Sequence, residues 1–325
     1  MQALISTEEL NSLLGQPNVK LLDASIAFQI PSEGEKVKDK WLPNSLRFDY
    51  DNDFCLPDSS LPHMMPTEEG FNQSAQQLGL NNEDLIVVYD NSGTLAAPRA
   101  WWMFRAMGHE NVRVLNGGLP AWIKAELPVT SALSQPSGKG NFSGKLNQEA
   151  FLNAQAVLAH SNNQSANIID ARAKARFLGE VPEPREGLRS GHIPNSVCLP
   201  FQELLTNGHI KPNSELQQIF SALTIDSDNS IIFSCGSGVT ACILLLAAYQ
   251  IGLDNLSVYD GSWTEWGADH SLPIRLGSVE TRHQRDQLTA CGCDLIQGYF
   301  YSKPLPFEQL VSFAEENHNE KAVEQ

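Results

Sequence analysis

Apolar runs of a few residues, each closing abruptly on a polar residue, recur along the chain and do so twice in the same order. Val19-Lys-Leu-Leu-Asp-Ala-Ser25 answers Asn167-Ile-Ile-Asp-Ala-Arg172, so that Asp23 and Asp170 coincide. Such runs predict buried parallel strands that end at a loop. Trp41-Leu-Pro-Asn-Ser45 answers His192-Ile-Pro-Asn-Ser196, where proline imposes an extended entry on the residue before it. Asp84-Leu-Ile-Val-Val-Tyr-Asp90 with its Asn-Ser-Gly-Thr turn answers Ser230-Ile-Ile-Phe-Ser-Cys235 with its Gly-Ser-Gly-Val-Thr turn, and a helical stretch follows each. Val112-Arg-Val-Leu-Asn-Gly-Gly-Leu-Pro-Ala-Trp122 answers Leu256-Ser-Val-Tyr-Asp-Gly-Ser-Trp-Thr-Glu-Trp266. The offset is about 145 to 150 residues, an internal duplication. Alternation of apolar strands with helices predicts an α/β fold with an open parallel sheet in each half, whose sites lie at the carboxyl ends of the strands.

The pattern divides the chain into 1–129, a Ser/Gly/Pro-rich linker at 130–145 that includes Thr130–Gly144, a second repeat at 146–276, and an unduplicated extension at 277–325. Its 325 residues agree with two cores rather than one. The net charge of −16 argues against nucleic acid as a partner, since a phosphate-binding surface would work against the whole-molecule field. No apolar run approaches a membrane span, and the start Met1-Gln-Ala-Leu-Ile-Ser lacks a basic, cleavable leader. The expectation is a cytoplasmic protein without a membrane partner. Six cysteines (Cys55, Cys198, Cys235, Cys242, Cys291 and Cys293) form no paired Cys-x-x-Cys signature, so free thiols and no metal are expected.

One cysteine stands apart. Cys235 follows an apolar strand and precedes Gly236-Ser-Gly-Val-Thr240 and an apolar helix. Glycines at 236 and 238 let successive backbone N–H groups turn inward, and with the helix N-terminus they favour an anion. A thiolate is such an anion, and so is the terminal sulfur of a persulfide. Cys242, one turn into the helix, reads as core. Position 241 is Ala, so the loop lacks the arginine of a Cys-x5-Arg phosphatase.

On these residues the chain resembles the rhodanese superfamily, and in particular its two-domain sulfurtransferases, over residues 1–276. The loop Cys235-Gly-Ser-Gly-Val-Thr240 is similar to that of the 3-mercaptopyruvate-specific branch, whereas the thiosulfate branch carries basic residues just after the cysteine. The resemblance implies two tandem rhodanese-like domains, the first catalytically silent with Asp90 at the thiol position. It implies sulfur transfer from 3-mercaptopyruvate through a Cys235 persulfide to cyanide or a thiol such as a thioredoxin-like protein, with no cofactor. Gly236, Gly238, Val239 and Thr240 would bind the donor, and Arg176 and Arg185 would grip its carboxylate or keto oxygen through planar forks. For Arg172 and Arg189 a surface ion pair is the expectation. From the first half, Phe48-Asp-Tyr-Asp51 and Leu61-Pro-His-Met-Met-Pro66 resemble the family segments that approach the site, giving a Ser237, His63 and Asp51 relay with Asp53 as an alternative to Asp51. A thiosulfate:cyanide sulfurtransferase and a noncatalytic rhodanese module stay open beside this reading.

The extension contains Val279-Glu-Thr and Gly292-Cys-Asp-Leu-Ile-Gln-Gly-Tyr-Phe-Tyr-Ser-Lys-Pro-Leu-Pro306, which is similar to the end of EAL-type cyclic-di-GMP phosphodiesterases. It is far shorter than the barrel such an enzyme needs, so a fusion remnant without that activity is expected. Its own pattern predicts helices over 282–290 and 307–317 and a strand over 295–301.

Overall fold

The computed structural model describes residues 2–29, 33–226 and 229–277. The extension from 278 onward, with its predicted elements, its EAL-like motif, Cys291 and Cys293, lies outside the described residues. The first half contains β1 (Leu4–Ile5), α1 (Thr7–Leu13), β2 (Val19–Asp23), β3 (Leu46–Arg47), α2 (Glu68–Gln77), β4 (Leu85–Tyr89), α3 (Ala97–Ala106), β5 (Val112–Leu115) and α4 (Gly118–Lys124). The second contains β6 (Phe151–Leu152), α5 (Ala154–Asn163), β7 (Ala166–Asp170), α6 (Lys174–Phe177), β8 (Ser196–Cys198), the short pair β9 (Leu205–Thr206) and β10 (His209–Ile210), α7 (Asn213–Ser221), β11 (Ser230–Ser234), α8 (Ala241–Gln250), β12 (Leu256–Tyr259) and α9 (Ser262–Trp266).

Two five-stranded sheets result, ordered β1-β5-β4-β2-β3 and β6-β12-β11-β7-β8, with every pairing in them parallel. The orders are identical once β6, β7, β8, β11 and β12 are matched to β1 to β5, so the duplication seen in sequence is a duplication of topology. The equivalence reaches single residues. Pro43-Asn44 and Pro194-Asn195 make the same turn, with both asparagines at φ 62°. Trp41 bridges to Thr130 as His192 bridges to Arg275. Central strands read as continuous apolar runs because helices cover both faces of the sheets.

The halves share one hydrophobic cluster that runs through α3 and α8. The α8 sequence ACILLLAAYQ is apolar all round and is buried from Ala241 to Ala248, because it packs against β11 and β12 beneath and α3 and α7 beside it. The 130–145 segment is laid along the first half rather than hanging free. The Ser134 N–H donates to the Ser45 carbonyl and the Phe142 N–H to that of Leu80, and the Phe142 side chain is fully buried. Among the described residues no helix is long and apolar enough to cross a membrane.

Candidate active site

The β11 strand delivers Cys235 to the carboxyl edge of the second sheet, where the chain turns through Gly236–Thr240 into α8. The turn needs glycine at 238. Its φ is +76°, and an added Cβ would stand 2.7 Å from Arg99 Nη1 and 2.8 Å from the Asp260 carbonyl oxygen. The N–H groups of residues 236–240 donate to no acceptor among the described residues. The Cys235 N–H donates to Ser262 Oγ at 3.1 Å, and the Cys235 carbonyl accepts from the Trp263 N–H at 2.9 Å, so the thiol-bearing backbone is pinned on both sides. Cys235 is 1% exposed and lines a cavity of about 70 Å³ with Ser237, Val239, Thr240, Arg176 and Phe28.

The equivalent turn of the first half is occupied from within. Asp90, at the position of Cys235, is fully buried, and its Oδ2 accepts from the N–H groups of Leu95, Ala96 and Ala97 at 3.0, 2.9 and 2.9 Å. Its Oδ1 accepts from the Ser92 N–H at 3.1 Å. The Asp90 carboxyl thus fills the inward-facing N–H cradle; burial pushes its pKa up while the backbone N–H groups of the turn pull it down, so the donors of this strand-turn-helix are arranged to meet an acceptor at the strand end.

The arginines expected at the site differ in accessibility. Arg176 lines the cavity, but its Nε and Nη2 are engaged by Glu183 at 3.2 and 2.5 Å, so its planar fork is already taken and Nη1 alone has no partner among the described residues. Arg185 is exposed and outside that cavity; its Nη1 donates to Thr264 Oγ1 at 3.1 Å, and Thr264 Oγ1 in turn donates to the Gly236 carbonyl at 2.7 Å. Arg172 and Arg189, expected as surface ion pairs, are buried. Arg172 grips Asp170 through Nε and Nη2, reaches Glu183 through Nη1 at 2.9 Å and stacks 4.2 Å over the Trp263 ring. Arg189 donates to the carbonyls of Trp266, Gly267, Leu272 and Asp269. Each is held because a buried guanidinium needs acceptors in several directions, and a loop of carbonyls or a pair of carboxylates supplies them.

From the first half, His63 is buried at φ +60°, with Nδ1 2.5 Å from Asp51 Oδ1. Asp51 rather than Asp53 is its carboxylate neighbour, and the imidazole beside it holds the Asp51 carboxyl below its ordinary value. The His63 ring stacks 5.4 Å from Phe28, itself part of the Cys235 cavity. His63 Nε2 has no hydrogen-bond partner among the described residues, so the contact with Ser237 that a relay needs is not made here. Cys242 is fully buried and burial pushes its thiol up to about 12, in keeping with a core cysteine.

Several residues that build the site escape sequence reasoning. Arg99 of α3 is fully buried and donates to the His63 carbonyl, to the Gly238 carbonyl at 3.1 Å and to Asp260 Oδ1 at 2.7 Å. Asp260 Oδ2 also accepts from the Met65 N–H at 2.7 Å. Ser262 does carry a readable signal. It stands where the first repeat has Gly118, and both occupy the left-handed region, at φ 49° and 56°. A serine in a glycine conformation points to a task for its hydroxyl, here bonding the Cys235 N–H.

Comparison with known proteins agrees with this architecture. The model of the Rhodanese-like domain matches residues 6–125 and 153–269. The 3-mercaptopyruvate sulfurtransferase of Escherichia coli K12 is 40% identical over 268 residues, covering 80% of this chain and 93% of its own. The thiosulfate sulfurtransferase of Rattus norvegicus is 39% identical over 276 residues, covering 82% of this chain and 92% of its own. The crystal structure of SseA from Escherichia coli, a 3-mercaptopyruvate sulfotransferase with the rhodanese fold, superposes with a TM-score of 0.71 at 36% identity, over 81% of this chain and 99% of that one.

Proposed function

The chain belongs to the rhodanese family, and from that premise we propose that it transfers sulfane sulfur from 3-mercaptopyruvate through a persulfide on Cys235 to cyanide or a thiol, releasing pyruvate. Residues 146–276 form the catalytic unit in this reading, and residues 1–129 shape the cleft. The donor enters from the Phe28 side, with its carboxylate near Arg176 Nη1 and Arg185. The Cys235 thiolate attacks the donor sulfur and an S–S bond forms. The C–S bond breaks, and its electron pair leaves on pyruvate as the enolate. The donor thiol proton moves to the enolate carbon, with Ser237, His63 and Asp51 as the groups available to carry it, leaving Cys–S–S⁻ and pyruvate. An acceptor then takes the outer sulfur and the Cys235 thiolate returns.

The observation that carries this reading is the pairing of the two turns. In the first half the N–H cradle is filled by the carboxylate oxygen of Asp90, which lies as many bonds beyond Cβ as the outer sulfur of a persulfide would. In the second half the cradle is open to a cavity, and a thiol stands at the Asp90 position. A persulfide on Cys235 would lie where the Asp90 carboxylate lies in the other turn, with its charge met by N–H donors. The uncharged residues Gly236 and Ser237 favour a donor of one negative charge over the doubly charged thiosulfate. A thioredoxin-like protein suits the role of thiol acceptor, and the cytoplasm is the compartment that the free thiols fit.

Steady-state turnover with 3-mercaptopyruvate and with thiosulfate, cyanide being the common acceptor, tests the reading with Cys235→Ser as the blank. A kcat/KM ratio well above one in favour of 3-mercaptopyruvate, abolished in Cys235→Ser, is the expected result. A ratio below one would make the chain a thiosulfate sulfurtransferase like its rat relative. Activity that survived in Cys235→Ser would sink the persulfide mechanism.

A further inference from the structure

Beneath the Cys235 cavity four charges are locked together in one run. Asp170 pairs with Arg172 at 2.7 Å, Arg172 with Glu183 at 2.9 Å, and Glu183 with Arg176 at 2.5 Å. The side chains of Asp170, Arg172 and Glu183 are at most 2% exposed; Arg172 and Arg176 both line the cavity, and of the two only Arg176, at 16%, is appreciably exposed. Two carboxylates and two guanidinium groups cancel. Every nitrogen of the Arg172 guanidinium is engaged, and Glu183 takes the Nε and Nη2 of Arg176. Arg176 therefore faces the donor with one free nitrogen and a charge that its own partner neutralises.

We infer that Glu183 is a specificity-determining residue for the sulfur donor, an inference that rests on the sulfurtransferase reading above. A 2-oxo acid thiol brings one carboxylate, which a single guanidinium nitrogen can hold. A dianionic sulfur oxyanion brings a second negative charge into a wall with no surplus positive charge, where it meets the field of Glu183. Two like charges about 6 Å apart, at the effective dielectric of about 20 that suits such sites, repel strongly enough to change affinity roughly 10- to 100-fold. Exposed Arg185 offsets little of this, because solvent screens it. Glu183 touches neither the thiol nor the loop, so it acts through Arg176 and through its field.

The test is the thiosulfate to 3-mercaptopyruvate ratio of kcat/KM, with cyanide as acceptor, in the full-length chain and in Glu183→Gln and Glu183→Asp. Glu183→Gln removes the charge and should raise the ratio about tenfold or more. Glu183→Asp keeps the charge while loosening the contacts, and its ratio should stay near that of the parent. Equal losses for both donors in Glu183→Gln would show a purely structural role and overturn the inference, and so would an equal rise in both variants. Should Glu183→Gln not fold, the comparison of Arg176→Gln with Arg176→Gln/Glu183→Gln decides, because both lack the Arg176 contact to the donor and they differ only in the Glu183 charge. The ratio should be about tenfold higher in the double variant, and equal ratios overturn the inference. Failure of the parent reading looks different: the unmodified chain would turn over neither donor, or Cys235→Ser would stay active.

Discussion

At the scale of single residues, the pair His63 and Asp51 is where a pH response of the proposed relay would show. The imidazole beside Asp51 depresses the carboxyl, so the pairing is fully present above the ordinary carboxylate range and is lost only as pH falls through the lowered folded value. Donor turnover that depends on the pair should therefore persist on acidification past the point at which a free carboxylate would protonate. Asp51→Asn should lower kcat/KM for 3-mercaptopyruvate about 100-fold or more near neutral pH, since a positioned proton carrier contributes about 100- to 10,000-fold. Alkylation of Cys235 by iodoacetamide should proceed at the parental rate, because Asp51 lies outside the thiol cavity. A pH profile and turnover rate identical to those of the parent would remove Asp51 and His63 from the mechanism. Much of this residue-level detail was legible only by resemblance. The sequence offers two acids for His63, and only the fold of the 48–66 loop brings Asp51 rather than Asp53 to within 2.5 Å.

At the scale of elements, the strand, turn and helix around residues 90 and 235 form one device used twice, and it was the most readable part of the chain. Local apolar runs, glycine spacing and a polar residue at the strand end are all short-range signals, so β4, β11 and the start of α8 could be placed from sequence. What fills each cradle was less legible, because a buried aspartate that accepts four N–H groups looks in sequence like any acid at a strand end. Asp90→Ala should strand the N–H groups of Leu95, Ala96 and Ala97 in the core. An unsatisfied buried donor costs about 1–3 kcal/mol, so destabilisation of roughly 3 kcal/mol or more is expected from urea unfolding, with a smaller loss in Asp90→Asn, which keeps an acceptor oxygen. Parental stability in Asp90→Ala would mean that the carboxylate does not hold this turn together.

At the scale of the whole molecule, the contacts that assemble the site are the ones sequence could not disclose. Arg99 and Asp260 are 161 positions apart, and neither lies in a motif that marks it as part of the thiol turn. Their meeting depends on α3 and α8 packing in one shared core, a property of the completed fold rather than of any local pattern. Through it a single guanidinium from the first half ties the His63 backbone, the thiol turn at Gly238 and the end of β12. The duplication explains why such a tie is needed. The thiol turn belongs to one repeat and the His63 segment to the other, so the cleft is complete only while the two stay in register.

A double-mutant cycle between Arg99 and Asp260 measures how firmly that register is held. Removing one partner of a buried ion pair leaves the other charge uncompensated, so Arg99→Met and Asp260→Asn should each destabilise the protein, by about 3–5 kcal/mol for a fully desolvated pair. The double variant should lose less than the sum of the two, with a coupling energy of about 1–3 kcal/mol in urea unfolding. The side-chain amide oxygen that Asp260→Asn leaves in place can still accept from the Met65 N–H, so the double variant keeps that tie. It cannot restore the donations of Arg99 to the Gly238 and His63 carbonyls. Stability should therefore recover in part while sulfur transfer does not, separating the joint as an element of the fold from the joint as the part that aligns the cleft. Additive losses would show that the ion pair carries no coupling. Recovery of turnover along with stability would show that neither the ion pair nor the carbonyl contacts of Arg99 are needed to keep the two halves aligned.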